Sequence, residues 1–423
     1  MSFLLLGILA LLLVIGTPVA FALSATAILM LWVTGDSMAV VPQVIFDSLS
    51  IYELAAVPLF VLMSQVLVAG KIGDHLFEVM NRWVGHFPGG LGIATVLSCG
   101  FFAAVAGSST TTAATVGTSA IPAMKKHGYP KRFSYGLVAG GGTLGILIPP
   151  SIPFVLYSAI TGASVGHLYL AGVLPGLVMM CVFIAYVVGY AKWTGKLPDV
   201  ASFTWREALS FSRMHVGALA LPFIVLGSIY SGIVTPTEAA AIGASYSILL
   251  SLFHYRSIKI VDLLPMFLDT VKVSVMLLFI IAGALLLARV VTTLQIAQEI
   301  IGGLAALGTS KWVFLILINI IWILMGDFLD VASIMLITLP IAYPVTVALG
   351  IDPIWFAVMM VINMELATIT PPVGLNLFVI MGITGEKDFM EVLKGTVPFM
   401  VLITFVLVLV MVFPPLATWL PRH

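Results

Sequence analysis

The sequence predicts an all-α polytopic membrane protein, built as an inverted repeat with two re-entrant hairpins and broken helices. Its 423 residues are 61% hydrophobic and 9% charged, whereas a soluble domain carries roughly 25% charged residues. Apolar runs of about 20 residues, long enough to cross a bilayer as helices, recur along the whole chain. Two similar strings, each with two adjacent prolines, interrupt such runs once in each half.

The apolar runs define the predicted helices in chain order. They cover residues 3–33, 51–69, 88–106, 133–148, 151–162, 167–192, 214–231, 236–254, 263–290, 312–325, 355–369, 373–384 and 390–416. The first run lacks a preceding basic segment and is too long for a cleaved signal peptide, so we expect a retained membrane helix. Residues 71–87 mix charged and bulky residues at helical spacing, which indicates an amphipathic helix in the membrane interface. Residues 193–212 form the most polar connection and are expected to link two halves.

The two proline strings belong to a longer internal repeat. LGILIPPSIPFVLYSAITG (144–162) is similar to LATITPPVGLNLFVIMGITG (366–385), and in each half a further proline follows the final glycine by 13 residues. Upstream, residues 107–124 parallel residues 326–343. Proline has no N–H and clashes with the preceding helical turn, so each Pro-Pro pair is expected to break a membrane helix.

Charge predicts how the two copies are oriented. In the first copy, residues 107–124 are followed by KKHGYPKR, with four basic residues, whereas the equivalent AYPVTVALGIDP in the second copy contains no lysine or arginine. Basic loops stay on the cytoplasmic side of a membrane, so the two loops are expected on opposite sides. This indicates an inverted repeat; two parallel copies, or chance similarity between apolar segments, are the alternatives.

Hydroxyl groups crowd the start of the first repeated segment. Residues 108–112 are all serine or threonine and follow Gly107. They could belong to a helix whose hydroxyls bond its own carbonyls. They could instead form a hairpin tip near the membrane midplane, where irregular backbone is tolerated if it lines a cavity. Free carbonyl and hydroxyl oxygens there would suit a hard cation such as sodium.

The second segment carries carboxylates in the same place. Asp327 and Asp330 follow Gly326, and carboxylates inside a membrane are costly and usually functional. The alternative is that they cap a helix N-terminus. Glu365 and Arg289 are also flanked by apolar residues; a structural ion pair, or snorkelling of the arginine, is favoured over a role as ligands.

Other patterns exclude several kinds of site. TPTE, starting at Thr235, reads as a capping box rather than a catalytic motif. The seven histidines show no metal-binding spacing, and no phosphate-binding loop is present. Two cysteines cannot build a disulfide framework. The net charge is zero, so nothing indicates a nucleic-acid partner.

Three longer strings carry a family resemblance. GTLGILIPPSIPF (142–154), GIVTPTEAAAIGA (232–244) and ITPPVGLNLFV (369–379) closely resemble the DctM-type large membrane subunit of tripartite ATP-independent periplasmic (TRAP) transporters, and the resemblance covers essentially the whole chain. It implies a multi-pass protein of the bacterial inner membrane. It also implies a sodium-driven secondary transporter that imports a carboxylate-containing organic anion, of the sialic acid or four-carbon dicarboxylate class. The implied partners are a separate small four-helix membrane subunit and a periplasmic substrate-binding protein.

The resemblance further implies an elevator mechanism, in which a transport domain slides against a scaffold. The implied division is N-terminal scaffold helices (1–70), the interfacial helix (71–87), a first transport-domain repeat (88–192) with a hairpin at about 107–124, a linker with scaffold helices and an arm (193–306), and a second transport-domain repeat (307–423) with a hairpin at about 326–346.

Site residues follow from the same resemblance. Two or more coupling sodium ions are expected. One sodium site would use Ser108, Ser109 and the backbone from Gly145 to Pro149, and another would use Gly326, Asp330, Thr368 and Thr370. The substrate would lie between the hairpin tips and the two breaks, near Ser109, Thr110, Pro150, Pro372 and Asn376.

Two other functions compete with this one. A self-sufficient sodium/dicarboxylate symporter could share the hairpin architecture without needing a binding protein. An intramembrane enzyme or a passive scaffold is disfavoured, because no nucleophile or metal motif stands in its proper context and the helix breaks are repeated.

Overall fold

The computed structural model describes residues 2–195, 197, 204–306, 310–326 and 328–422, and every regular element in them is helical. The N-terminal part contains α1 (Ser2–Val14), α2 (Val19–Thr34), α3 (Val40–Leu49), α4 (Ala56–Ala69, after a 3₁₀ turn at Tyr52–Ala55) and α5 (Ile72–Val84). Next come α6 (Gly90–Ala106), α7 (Ser109–Lys126), α8 (Lys131–Leu147), α9 (Ile152–Thr161) and α10 (Val165–Thr194). The middle part contains α11 (Trp205–Met214), α12 (Val216–Tyr230), α13 (Pro236–Leu249, followed by a π turn at Leu250–His254), α14 (Ile260–Thr293) and α15 (Ile296–Ala306). The last part contains α16 (Lys311–Gly326), α17 (Val331–Ala348), α18 (Pro353–Ala367), α19 (Leu375–Thr384), α20 (Phe389–Val412) and α21 (Pro415–Arg422).

Many of these helices suit a membrane. Within the described residues, six helical segments are long and apolar enough to cross a bilayer, and a seventh is formed if α11 and α12, which meet at a 66° bend, count as one span. The six segments are Tyr52–Ala69, Lys131–Thr161, Val165–Thr194, Ile260–Thr293, Val331–Ala348 and Phe389–Val412. The predicted polytopic all-α membrane fold is therefore confirmed.

The prediction of one helix over residues 3–33 is wrong. The chain breaks between α1 and α2, where Gly16 adopts a left-handed φ of 83° and Pro18 occupies the N-cap of α2. A left-handed backbone suits glycine, and proline cannot continue the first helix, so this short sequence is enough to separate two helices. The sequence also did not predict α3, α11 or α15.

Both hairpins lie further towards the N-terminus than predicted. Helices α6 and α7 pack together across a two-residue connection, Gly107–Ser108, so residues 107–124 are the turn and only the second arm. In the second half, α16 and α17 are the arms, and residues 326–346 again cover the turn and one arm. Asp327 lies outside the described residues. The first arms escaped prediction because their apolar sequences resemble those of ordinary membrane helices.

The repeat appears as a matching order of helices. α6–α10 and α16–α20 each comprise two hairpin arms, a helix, a break, a ten-residue half-helix and a long helix. The breaks lie at residues 148–151 and 368–374, and each contains a cis peptide bond between its two prolines. Both half-helices end at a glycine with a left-handed φ, Gly162 at 73° and Gly385 at 69°.

Contacts between the halves show that the two copies run in opposite directions. At the start of α8, Arg132 pairs with Glu391 of α20 at 2.6 Å between Nη2 and Oε1. At the end of α9, the Tyr157 hydroxyl donates to the carbonyl of Pro353, the first residue of α18, at 2.7 Å. Because α8 and α9 together form one candidate span, α8 and α18 start at opposite ends of it. We refer to the end with Arg132 as the basic face.

The structure contains the amphipathic helix expected at residues 71–87 as α5, and its place in the membrane interface stays a prediction. α5 buries an apolar side that includes Ile72, Leu76 and Phe77. On its polar side Asp74 accepts a hydrogen bond from Ser119 of α7, which ties α5 to the first hairpin near the basic face. The predicted capping box also forms, since the Thr235 N–H donates to Glu238 Oε2 at 2.7 Å.

Candidate functional site

The hairpin tips and the helix breaks meet at one central pocket of about 180 Å³. It is lined by Gly107, Ser108, Ser109, Thr110, Ile146, Ile152, Pro153, Leu156, Leu277, Asp330, Val331, Ala332, Thr368 and Leu375. Pockets for drug-sized ligands measure about 300–1,000 Å³, so this one suits a small molecule.

Four helices begin at this pocket. The lining includes the first residues of α7 (Ser109), α9 (Ile152), α17 (Val331) and α19 (Leu375). The first N–H groups of a helix have no partner within it, and its N-terminus carries a partial positive charge. No lysine or arginine is among the described residues that line the pocket. Ser108 and Asp330 already accept from N–H groups of α7 and α17, so the pocket can attract an anion through the partial positive charge of its helix ends rather than through a basic side chain.

A hydrogen-bonded cluster joins the first hairpin tip to the second break. The side-chain amide of Asn376 donates to Ser109 Oγ at 2.8 Å and to the carbonyl of Ala139 at 3.0 Å. The Ser109 hydroxyl lies 3.5 Å from Thr368 Oγ1. Asn376 is fully buried and the other two side chains are nearly so. Residues more than 250 positions apart thus form one rigid junction between the repeats.

The first tip fits tightly against the end of α8. Ser108 caps α7 through its side chain, and its carbonyl accepts from the N–H and the hydroxyl of Thr112. A methyl group at Gly145 would collide with that carbonyl oxygen. The N–H of Ile152 reaches the carbonyl of Gly107 at 3.5 Å, which links the tip to the start of α9.

The first break has the oxygen atoms that a sodium ion needs. Pro149 and Pro150 have no N–H, so neither can donate to the carbonyls of Gly145 and Ile146 one turn earlier. In the same break Ser151 is fully buried and its hydroxyl has no hydrogen-bond partner among the described residues. Carbonyl and hydroxyl oxygens are typical ligands of hard cations. These residues fit a sodium ion, whereas the described residues contain no cluster of three His, Cys, Asp or Glu side chains for a transition metal.

In the second break, more of the polar groups already have hydrogen-bond partners. The carbonyl of Thr368 accepts from the N–H of Asn376 at 3.0 Å, and its hydroxyl donates to the Glu365 carbonyl at 2.8 Å. The Thr370 hydroxyl donates to Leu366 O at 2.7 Å. A methyl group at Gly326 would collide with Ala367, so the second tip also contacts its break. Both threonine hydroxyls keep lone pairs that a cation could use.

Asp330 is the N-cap of α17. Its Oδ2 accepts from the N–H groups of Ala332 at 3.1 Å and Ser333 at 3.3 Å, and its Oδ1 accepts from the Ser333 hydroxyl. The capping role that the sequence left as an alternative is therefore present. Asp330 also lines the pocket, so its role as a sodium ligand stays a prediction.

The structure places only some of the predicted site residues in the pocket lining. Ser108, Ser109, Thr110, Asp330 and Thr368 line it, whereas Gly145, Pro149, Pro150, Gly326, Thr370, Pro372 and Asn376 do not. Neither carboxylate oxygen of the buried Glu365 has a hydrogen-bond partner among the described residues, so its proposed ion pair with Arg289 is not formed.

One residue of the first break and one residue of the pocket lining were missed by the sequence. Ser151 lies between Pro150 and Pro153 in the first break, and a single serine gives no sequence signal for a buried hydroxyl without a partner among the described residues. Leu277 of α14 supplies the only lining from outside the two repeats within the described residues. An apolar residue in an apolar helix gives no sequence signal for such a position.

Paired hairpins and paired helix breaks that meet at a central pocket define a secondary transporter. Comparison with known proteins identifies which kind. The family model of the tripartite ATP-independent periplasmic transporter DctM component matches residues 6–416, and the chain belongs to that family.

Individual proteins are similar over nearly the whole chain. The large permease protein DctM of the C4-dicarboxylate TRAP transporter of Pseudomonas aeruginosa is 42% identical, covering 94% of this chain and 92% of that protein. Its counterpart in Vibrio cholerae is 39% identical, with coverages of 96% and 94%. In fold, the chain is similar to the YdaH transporter of Alcanivorax borkumensis, with a TM-score of 0.58, 14% identity, and coverage of 85% and 86%.

Proposed function

We propose that this protein is the large membrane subunit of a sodium-driven, binding-protein-dependent importer of a four-carbon dicarboxylate. The observation that carries the proposal is the convergence of four helix N-termini on a small pocket that no described lysine or arginine lines. The partial positive charge of helix N-termini favours a bound carboxylate.

The choice of substrate rests on similarity and on pocket size. The sequence left sialic acid, four-carbon dicarboxylates and other carboxylates open, and the two relatives described above are named for C4-dicarboxylates. A pocket of about 180 Å³ also favours the smaller of these anions.

Sodium coupling is supported by the oxygens of the two breaks. A dicarboxylate brings two negative charges into a site of low dielectric, which is costly without compensation. Sodium ions at Ser108, Gly145 and the first break, and at Gly326, Thr368 and Thr370, would offset that charge. The ions would also hold each hairpin tip against its break, so that the pocket closes only when they are bound.

Sidedness follows from the distribution of basic residues. The basic face carries Lys71, Arg82, Lys125, Lys126, Lys131, Arg132, Lys192, Arg206, Arg213, Arg256, Lys259, Lys387 and Lys394, whereas the described part of the opposite face carries Arg289, Lys311 and Arg422, and Lys272 lies within α14. Basic loops stay in the cytoplasm. The basic face would therefore be cytoplasmic in a bacterial inner membrane, and the opposite face would receive substrate from the periplasmic binding protein.

The partners and the elevator mechanism are part of the proposal. The family name denotes a tripartite system, which supports a small membrane subunit and a binding protein beside this chain. In an elevator, α6–α10 and α16–α20 would carry the pocket past α14, whose Leu277 forms an apolar wall that can slide without breaking hydrogen bonds.

Cross-linking the moving and fixed walls should stop transport. Leu156 of α9 and Leu277 of α14 line the same pocket, so cysteines at both positions, with the exposed Cys181 replaced by serine, should be bridged by Hg²⁺. Uptake by proteoliposomes is expected to fall to background and to recover when an excess of a small thiol removes the mercury, while each single cysteine variant keeps its activity. Full uptake by a protein shown to be bridged would contradict an elevator.

Asp330→Asn should reduce transport more than stability. Asparagine still caps a helix, so the thermal unfolding temperature should change little, whereas loss of the charge beside the pocket should raise the sodium concentration for half-maximal uptake. Ser333→Ala, which removes one capping partner but no charge, is the matched control. Wild-type sodium dependence in Asp330→Asn would leave this residue with a structural role alone.

The partner requirement separates this proposal from the self-sufficient symporter. Purified chain should be reconstituted with labelled succinate, with and without the small subunit and the loaded binding protein. Uptake is expected only when both partners are present. Sodium-dependent uptake by this chain alone would favour the self-sufficient symporter.

A further inference from the structure

A second polar pocket lies between the two amphipathic helices of the basic face. It has a volume of about 360 Å³ and is lined by Arg82 of α5 and by Arg206, Glu207, Ser210, Phe211 and Met214 of α11. None of these residues lines the central pocket.

The position of this pocket corresponds to the membrane interface. α11 turns by 66° away from α12, so if α12 crosses the bilayer, α11 lies closer to the membrane plane. Trp205 and Leu209 of α11 and Trp193 at the end of α10 are exposed. Tryptophan is enriched at the level of lipid headgroups. The ring of Trp205 also packs edge-on against Trp83 of α5, with centroids 5.5 Å apart, which holds the two interfacial helices together.

The charges in the pocket are mixed. Arg206 and Glu207 form no ion pair with any described residue, although they are neighbours on one exposed helix face. Arg82 lies 4.2 Å above the ring of Phe211 and pairs with Glu78 at 3.0 Å. Two guanidinium groups suit a phosphate, which they bind through charge-assisted hydrogen bonds. The carboxylate of Glu207 can accept from a primary ammonium group, but a quaternary ammonium has no N–H to donate.

We propose that this pocket binds the headgroup of a zwitterionic aminophospholipid of the inner leaflet. The phosphate would lie between Arg82 and Arg206, the ammonium group would lie at Glu207, and the acyl chains would run along Leu209 and Trp205. Such a lipid would fix the depth of α5 and α11 in the membrane. The site is separate from the transported substrate, so the proposed transport function could fail while this inference stands.

Native mass spectrometry of the full-length protein can test the site. The protein is purified in detergent containing equal amounts of phosphatidylethanolamine, phosphatidylglycerol and phosphatidylcholine. The wild type is expected to retain phosphatidylethanolamine in preference to the other two. Arg206→Gln should lower its retention about tenfold, as expected for one charge-assisted hydrogen bond. Arg213→Gln is the matched control on the same helix, outside the pocket, and should match the wild type.

Two further arms identify what is bound. Glu207→Gln should remove the preference for phosphatidylethanolamine over phosphatidylglycerol, because the ammonium group loses its negatively charged partner and keeps only a weaker, neutral acceptor. Inorganic phosphate, added alone, should not displace the lipid. Equal retention by Arg206→Gln and Arg213→Gln, equal retention of all three lipids by the wild type, or displacement by phosphate would each overturn the proposal. Thermal unfolding in lipid-free detergent checks that the variants are folded.

Discussion

Replacing Gly145 with alanine is expected to reduce substrate uptake by roughly tenfold to a hundredfold. The added methyl group would collide with the Ser108 carbonyl at the first hairpin tip. Overpacking of this kind costs about 1–3 kcal/mol, and each 1.36 kcal/mol is tenfold in rate. The added methyl group destabilises the arrangement in which the first hairpin tip is closed against the first break. Its effect is therefore measured as uptake by the reconstituted transporter.

The opposite outcome is expected at a glycine without neighbours. Gly189 lies inside α10 with no atom near the position of an added Cβ. Alanine is a better helix former than glycine by about 0.8–1.0 kcal/mol, so Gly189→Ala should keep full uptake and slightly raise the unfolding temperature. If the two variants behave alike, the tip does not close on the end of α8 as described.

Replacing Asn376 with leucine should nearly abolish transport. The substitution removes the donors to Ser109 Oγ and to the Ala139 carbonyl, and the leucine side chain has no hydrogen-bonding group to replace them. A buried polar group left without a partner costs about 1–3 kcal/mol. Because these bonds join the first tip to the second break, we expect the sodium concentration for half-maximal uptake to rise together with the loss of maximal rate.

A double-mutant cycle distinguishes this junction from general destabilisation. Ser109→Ala alone should weaken sodium dependence more than docking of the binding protein. Residues in direct contact show coupling energies of about 0.5–3 kcal/mol, whereas distant ones are additive. Ser109→Ala combined with Asn376→Leu should therefore cost less than the sum of the single changes. Additive effects on sodium dependence would show that the contact has no functional role.

The parts of the fold that the sequence predicted well depend on local chemistry. The breaks at Pro149 and Pro371 were predicted because proline blocks a helix wherever it stands. The repeat was detectable because the proline strings are long and ordered. The separation of α1 from α2 was missed, since Gly16 and Pro18 form a short signal inside a continuous apolar run.

The parts that the sequence could not supply depend on distant contacts. Ser109 and Asn376 were both expected near the substrate, through family resemblance, but nothing local predicts that they bond each other across 267 positions. Leu277 is an apolar residue in an apolar helix, so the sequence does not indicate that it lines the pocket. The sequence left Asp330 as either a ligand or a cap, and only the structure shows that its oxygens cap α17.

The most direct test of the proposed transport mechanism is the sodium dependence of uptake in a fully reconstituted system. Proteoliposomes should contain this chain with its small subunit, and labelled succinate should be presented by the loaded binding protein. An inward sodium gradient is expected to drive accumulation of succinate above its external concentration. Replacing external sodium with potassium, or dissipating the gradient, should abolish accumulation. Equal accumulation without sodium would contradict sodium coupling at the two hairpin tips.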